Sequence, residues 1–415
     1  MKMVLLMSAA LLAAPLQAQE DPEALVAMLR AGSYAELDAR VGRYQAAYEK
    51  NADAEWPLIT VIGAFGRVEP DLERHHDAWI ESHPNSYVAR LARAAYWSQR
   101  GWSSRGGRFA GETAKRRLQA MRRAFEQAAR DLDASLALSP RPQLSHRYLI
   151  SIAMARGERA KAGEWYAASL KSDPHNYASR RAALNALRPE WGGSLADMSR
   201  VIAEAEAAPQ TRKQRLVVRH LKAAFAGYRA LEAERARDIA GALALYDKAL
   251  AETADPVLLE NRGRLLVQQK RLDDALRDFN RALALDPNSA DALQRRGNLH
   301  EQRGEIKETV RDYARAASYG STYAMRRLGM LQLEQGNDRE ALRWLGLGAE
   351  FGDDNAQMAL GYLYSAARGV PQDPRKAYDL WKLSAAQGNK QAKKYLDDLP
   401  WWWKARFAVE DWYSR

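Results

Sequence analysis

Leu259-Glu260-Asn261-Arg262-Gly263-Arg264 returns 34 residues later as Leu293-Gln294-Arg295-Arg296-Gly297-Asn298. The echo continues, with Phe279 and Ala282 recurring as Tyr313 and Ala316, and with Thr309 standing where the first copy has Ala275. Pro287 ends the first copy in the phrase Leu283-Ala284-Leu285-Asp286-Pro287-Asn288. A fixed period of this length signals stacked supersecondary units rather than one folded core. Small residues such as Gly263 and Ala275 let two antiparallel helices approach closely, Phe279 fills the space between units, and Pro287 starts the next turn.

Period and pattern together resemble the tetratricopeptide repeat. The small–aromatic–small spacing extends upstream through Ala242, Tyr246 and Ala249, through Ala162, Tyr166, Ser169 and Pro174, and through Ala128, Leu132, Ser135 and Pro140. Between Pro84 and Pro140 the spacing is too long for one unit, so an insertion is expected around Gly101-Trp102-Ser103-Ser104-Arg105-Gly106-Gly107-Arg108-Phe109. Downstream the period changes. Gly320, Ala324 and Leu328 recur as Gly352, Ala356, Leu360 and as Gly388, Ala392, Leu396, a pattern that is similar to the Sel-one-like repeat. The expected fold class is therefore all-α, a superhelical solenoid of antiparallel helix pairs. The expected segments are 1–18 (signal peptide), 19–215 (divergent helical repeats), 216–317 (tetratricopeptide repeats), 318–399 (Sel-one-like repeats) and 400–415 (an aromatic capping tail). Residues 80–205 also resemble an uncharacterised family of bacterial exported proteins, through Ser82-His83-Pro84-Asn85-Ser86-Tyr87, the Gly101–Phe109 stretch and Leu187-Arg188-Pro189-Glu190-Trp191-Gly192-Gly193-Ser194. That resemblance brings an architecture and no activity.

Composition narrows the function classes. Gly at 26 and Pro at 15 of 415 residues exclude collagen-like and low-complexity chains, and 47% hydrophobic residues suffice for a core. Zero Cys removes disulfides, thiolate nucleophiles and cysteine-ligated metals. The net charge of +11 comes mostly from 47 Arg against 16 Lys. Lys2, the apolar run Val4–Ala14 and Ala18 before Gln19-Glu20-Asp21 read as a cleaved signal peptide, which predicts export to the periplasm. An exported basic chain meets anionic lipid, lipopolysaccharide and acidic proteins rather than nucleic acid. Oligomeric state is not set by the sequence.

Catalytic signatures such as a P-loop, G-x-S-x-G, H-E-x-x-H and G-x-G-x-x-G are missing from the sequence, so neither catalytic residues nor cofactors nor metal ligands are expected. His75, His76 and His83 form the one histidine cluster. His76 and His83 rise about 10.5 Å apart on a helix, too far to share a zinc. Asp71 with His75, or Glu73 with His76, has the spacing of an acid–base couple, and near Pro84 these histidines read as exposed or capping groups. Arg105 and Arg108, flanked by Trp102 and Phe109, form a candidate anion-binding loop. Pro189 opens a turn, Trp191 fills a core and Ser194 caps a helix from Leu195. The concave face of the repeats would carry Glu260, Arg264, Gln294, Asn298 and Glu301 as binding candidates. In the tail, Trp402, Ala405, Val409 and Trp412 share one helical face, suited to capping the last repeat or to touching lipid.

The leading expectation is an exported, non-enzymatic scaffold that holds a protein or peptide on its concave face. A binder of anionic envelope components is the second, with an anionic membrane surface as partner. An enzyme whose site lies within residues 50–135 is the third.

Overall fold

The computed structural model describes residues 20–51, 54–106, 113–207, 211–403 and 407. The segment expected to be a signal peptide, Arg108, Phe109 and most of the aromatic tail, with Ala405, Val409 and Trp412, lie outside the described residues. Among the described residues all regular structure is helical and there is no strand. Four helices open the chain: α1 (Pro22–Arg30), α2 (Tyr34–Lys50), α3 (Glu55–Gly63) and α4 (Leu72–Ser82). Antiparallel pairs follow: α5 (Tyr87–Arg105) with α6 (Lys115–Ser135), α7 (Gln143–Arg156) with α8 (Arg159–Ser172), and α9 (Tyr177–Ala186) with α10 (Leu195–Ala207). Next come α11 (Arg212–Arg235) with α12 (Ile239–Glu252), α13 (Pro256–Gln268) with α14 (Leu272–Leu285), and α15 (Ala290–Gln302) with α16 (Ile306–Ser318). The array ends with α17 (Thr322–Glu334) and α18 (Asp338–Glu350), α19 (Asp354–Ser365) and α20 (Pro374–Ala385), and α21 (Lys390–Asp398).

The repeat residues hold each pair together as the spacing predicts. A Cβ on Gly263 would lie 2.7 Å from the Phe279 ring, and one on Gly297 would lie 2.9 Å from the Tyr313 ring. Glycine is therefore what admits a fully buried aromatic against the first helix. A second device is periodic as well. Arg262 forks onto Asp278 at 2.7 and 2.6 Å and reaches back to Asp247 at 2.7 Å. Arg296 does the same with Asp312, at 2.7 Å twice, and with Asn280 at 2.9 Å. Arg93 repeats it with Asp131 and Asp77. Each arginine thus ties its own pair and the preceding one through bidentate, charge-assisted bonds. Neighbouring first helices also touch directly, as α11 with α13 and α13 with α15, and so form the inner wall of the curve.

The insertion between Pro84 and Pro140 is accommodated by lengthening. At 19 and 21 residues, α5 and α6 outrun the 13 or 14 of most later helices. The last turns of α5 carry Trp102 and Arg105.

The N-terminal helices do not simply extend the array. They lie across the turns that link one pair to the next. Gln45 donates to Ser139 at 2.9 Å, Tyr48 to Asp173 at 2.9 Å, and the Glu55 carboxylate accepts the Tyr177 and Ala178 amides at the start of α9. Farther round, Asn288 donates to the Thr60 carbonyl at 3.2 Å, and the Val68 amide donates to the Ser318 carbonyl at 2.8 Å. Arg67 donates to Ser318 at 3.1 Å and pairs with Glu69 at 2.9 Å. From α5, Gln99 donates to the Tyr319 carbonyl at 2.7 Å, and Arg100 pairs with Glu350 while stacking on Phe351. The first pair and the seventh are in contact, so the solenoid closes on itself.

Candidate functional site

Closure leaves the opposite rim, where first helices end, open along the N-terminal half. Four of those ends carry an arginine: Arg105 on α5, Arg156 on α7, Arg188 just past α9 and Arg235 on α11. Each cation opposes the negative end of a helix dipole, the local reason for its position. Together they converge on one cleft of about 900 Å³, with Arg122, Glu126, Glu158 and Glu190 among its walls and Leu118, Met121, Met154 and Trp191 as apolar surface.

Arg105 is the distinctive group. Its guanidinium lies 4.9 Å from the Trp191 ring centroid and 5.8 Å from that of Trp102, within cation–π range of both. Burial alone moves it, and pushes its pKa down, because no carboxylate among the described residues pairs with it. Trp102 is itself held edge-on by Phe125 at 5.4 Å. Trp191 arrives on a short 3₁₀ turn, Pro189–Trp191. A Cβ on Gly193 would fall 1.9 Å from the Leu187 carbonyl oxygen, so only glycine lets the chain fold back there. Ser194 caps the following helix through the Asp197 amide at 3.1 Å, as the sequence predicts. Trp191, expected to fill a core, is instead half-buried and forms a wall of the cleft.

The other arginines differ in state. Arg188 reaches Glu190 at 2.9 Å and stacks on Tyr228, and Arg235 also binds Glu190. Partial burial pushes the Glu190 carboxyl up, but hydrogen bonds from Arg235 and Arg188 outweigh it and hold the group down at about 2. Arg122 and Arg156, like Arg105, have no ion pair among the described residues.

The concave candidates are brought to the inner wall, where each is engaged within the chain. Ser289 donates to Glu260, whose carboxyl is pushed up to about 8, chiefly by burial. Arg264 pairs with Glu234, which also accepts from Tyr246 at 2.9 Å. Gln294 accepts from Ser321 at 2.5 Å. Asn298 and Glu301 both accept from Tyr313, at 2.6 and 2.7 Å, and Glu301 also pairs with Arg327. A glutamate on a first helix, a tyrosine on its second helix and an arginine on the next first helix thus form the same staple twice. The tyrosine positions were readable as core; their hydroxyl partners were not.

The acid–base couples suggested by spacing do not form. Asp71 pairs with Arg30 at 2.8 Å, and His75 stands 3.5 Å from the Tyr34 hydroxyl. His76 is fully buried against Phe65 and Tyr96, with neither ring nitrogen hydrogen-bonded among the described residues. Only His83, bonded to Ser82 at 2.8 Å, fits the expected place at a helix end. No group of three His, Asp or Glu among the described residues is arranged to hold a metal ion, and no described helix is long and apolar enough to cross a membrane. In the tail, Phe407 is buried against Tyr378 at 4.9 Å, while Trp401 and Trp402 are exposed. The described tail residue that packs on the last pair is therefore Phe407, while Trp402, expected on a face suited either to capping or to lipid, is exposed.

Two families match parts of the chain. Residues 23–161 match a domain of unknown function (DUF4034), a span that runs from the N-terminal helices into α8. Residues 263–304 match the TPR repeat family. The array is thus one of antiparallel helix pairs, within which residues 263–304 match a tetratricopeptide repeat. No curated protein matches the chain. Among solved structures, a Sel1 repeat protein from Oxalobacter formigenes is 24% identical, covering 49% of this chain and 88% of that one at a TM-score of 0.38. A protective antigen of uropathogenic Escherichia coli displaying an SLR fold is 14% identical, covering 85% and 80% at 0.39. A tetratricopeptide repeat protein from Parabacteroides merdae is 17% identical, covering 61% and 96% at 0.32.

Proposed function

We propose that the protein is an exported, non-enzymatic helical-repeat scaffold that holds a protein or peptide partner on its repeat surface. The observation that supports this reading is the closed array itself. Pairs from α5 to α18 form a frame braced by α1–α4, with an inner wall of polar side chains and a rim cleft crossing four pairs. Such a frame presents a large preformed surface at little ordering cost, which is what a binding scaffold needs. Arginine, tryptophan and methionine, the residues of that cleft, are those enriched at protein interfaces. Export rests on the Lys2, Val4–Ala14 and Ala18 pattern.

The lack of native cysteine makes a clean test available. Mature protein carrying Gln294→Cys on the inner wall, or Arg122→Cys at the rim, is armed with a thiol-directed photocrosslinker in an envelope fraction. A discrete protein adduct that survives a high-salt wash supports the scaffold. Absence of any protein adduct from either position overturns it. The +11 charge and the three unpaired rim arginines favour one second reading, an anionic envelope component. It requires adducts with lipid or lipopolysaccharide that are lost as salt rises.

A further inference from the structure

We propose that the rim cleft is a docking trough for an extended acidic peptide segment, its carboxylates received by Arg105, Arg122 and Arg156 and its apolar side chains by Trp191, Met121 and Met154. This rests on the scaffold reading and names the chemistry of the partner.

Arg105 carries the argument. The Arg105 guanidinium sits in the corner where Trp102 and Trp191 meet edge to face, their ring centroids 6.4 Å apart, and its fork of N–H groups is not spent on any carboxylate among the described residues. Contact with the two indoles already removes part of its hydration, so an arriving carboxylate gains a bidentate, charge-assisted pair at a reduced desolvation cost. Two further arginines stand ready on the same walls. Arg122 and Arg156 are without ion pairs among the described residues, whereas Arg188 and Arg235 are neutralised by Glu190. Basicity continues along the exposed side of α6 through Lys115, Arg116, Arg123 and Arg130.

The remaining lining decides between kinds of anion. Glu126 and Glu158 share the lining with the arginines, and Glu190 already neutralises Arg188 and Arg235, which penalises a dense polyphosphate or a continuous anionic surface. Apolar side chains between the charges instead match a chain whose carboxylates are spaced by leucine-like or aromatic residues. Glu126 and Glu158 suit its backbone amides. A trough crossing four pair ends also fits an extended segment better than an enclosed small molecule.

The test uses the full mature chain and three probes: a fluorescein-labelled octapeptide alternating glutamate with leucine and phenylalanine, its glutamine counterpart, and phosphatidylglycerol vesicles. Fluorescence anisotropy should show the glutamate peptide binding at least about tenfold tighter than the glutamine peptide. Arg105→Gln should weaken it about tenfold or more, Arg122→Gln severalfold, and Arg200→Gln, on α10 outside the cleft, not at all. Arg122 is exposed, so its replacement leaves folding intact even if Arg105→Gln disturbs the two indoles. Equal affinity for the two peptides, unchanged affinity in both cleft variants, or binding to vesicles alone would overturn the proposal. A crosslinked partner at Gln294→Cys with no peptide binding at the rim would remove the cleft and leave the scaffold standing.

Discussion

Replacing His76 with leucine should flatten the response of this protein to acid. The imidazole is fully buried beside Phe65 and Tyr96, and its pKa is pushed from 6.5 down to about 3, first by burial and then by the charge of Arg93. Once the chain unfolds, the same ring protonates near 6.5. Between those values the unfolded state binds the extra proton, so stability present above pH 6.5 is lost as pH falls. The linkage relation gives a loss of about 2 kcal/mol between pH 7.5 and pH 5, rising to roughly 5 kcal/mol below pH 3. His220, pushed down to about 4 chiefly by burial, adds a similar but smaller contribution in the parent chain. Leucine removes the titration and also a ring N–H that has no acceptor among the described residues. The variant should thus be at least as stable at pH 7.5 and about 2 kcal/mol less acid-sensitive than the parent. Urea unfolding at both pH values, followed by far-UV circular dichroism, measures the difference. An acid dependence equal to that of the parent would refute the argument that His76 is held neutral in the folded chain.

Other expected outcomes test the repeat devices. Gly263→Ala gains about 1 kcal/mol of helix propensity but drives a methyl into Phe279, a clash worth about 1–3 kcal/mol, so the melting temperature should fall. Adding Phe279→Leu should recover part of that loss. Asp312→Ala strands Arg296 and should cost about 2–3 kcal/mol, less than a fully buried pair because Arg296 is partly exposed. A double-mutant cycle with Arg296→Met would show the coupling as non-additive. Removing the clasp with Arg67→Ala and Arg100→Ala together should open the ring, seen as a larger radius of gyration in small-angle scattering; an unchanged radius would mean that repeat packing alone sets the curvature.

Periodicity made the array legible and told little of what is laid across it. Gly263, Phe279 and their copies announce helix pairs because the 34-residue echo reflects a contact made again and again. Glu55, Arg67 and Val68 carry no such signal, since Glu55 meets the start of α9 once and Arg67 and Val68 together meet Ser318 once, more than a hundred residues away along the chain. The cleft shows the same division. Trp102 with Arg105, and Trp191 with its glycines, each stood out locally, yet nothing in the sequence says that 86 residues bring them face to face. The concave candidates followed from register alone. Register gives a side chain's direction but not the Tyr246 and Tyr313 hydroxyls waiting there.

A linear solenoid needs only its neighbours, so folding can start anywhere and spread. Here Arg100 must wait for Glu350, 250 residues later in the chain, and Val68 for Ser318. At roughly 5–20 residues per second, that is on the order of 12–50 s of synthesis during which the first helices lack their last partners. Loop closure on this scale slows folding, whereas once made it joins the two ends of the array in one cooperative unit. For a chain expected to cross a membrane unfolded, that delay has a use. The ring cannot shut until nearly all of it has been made.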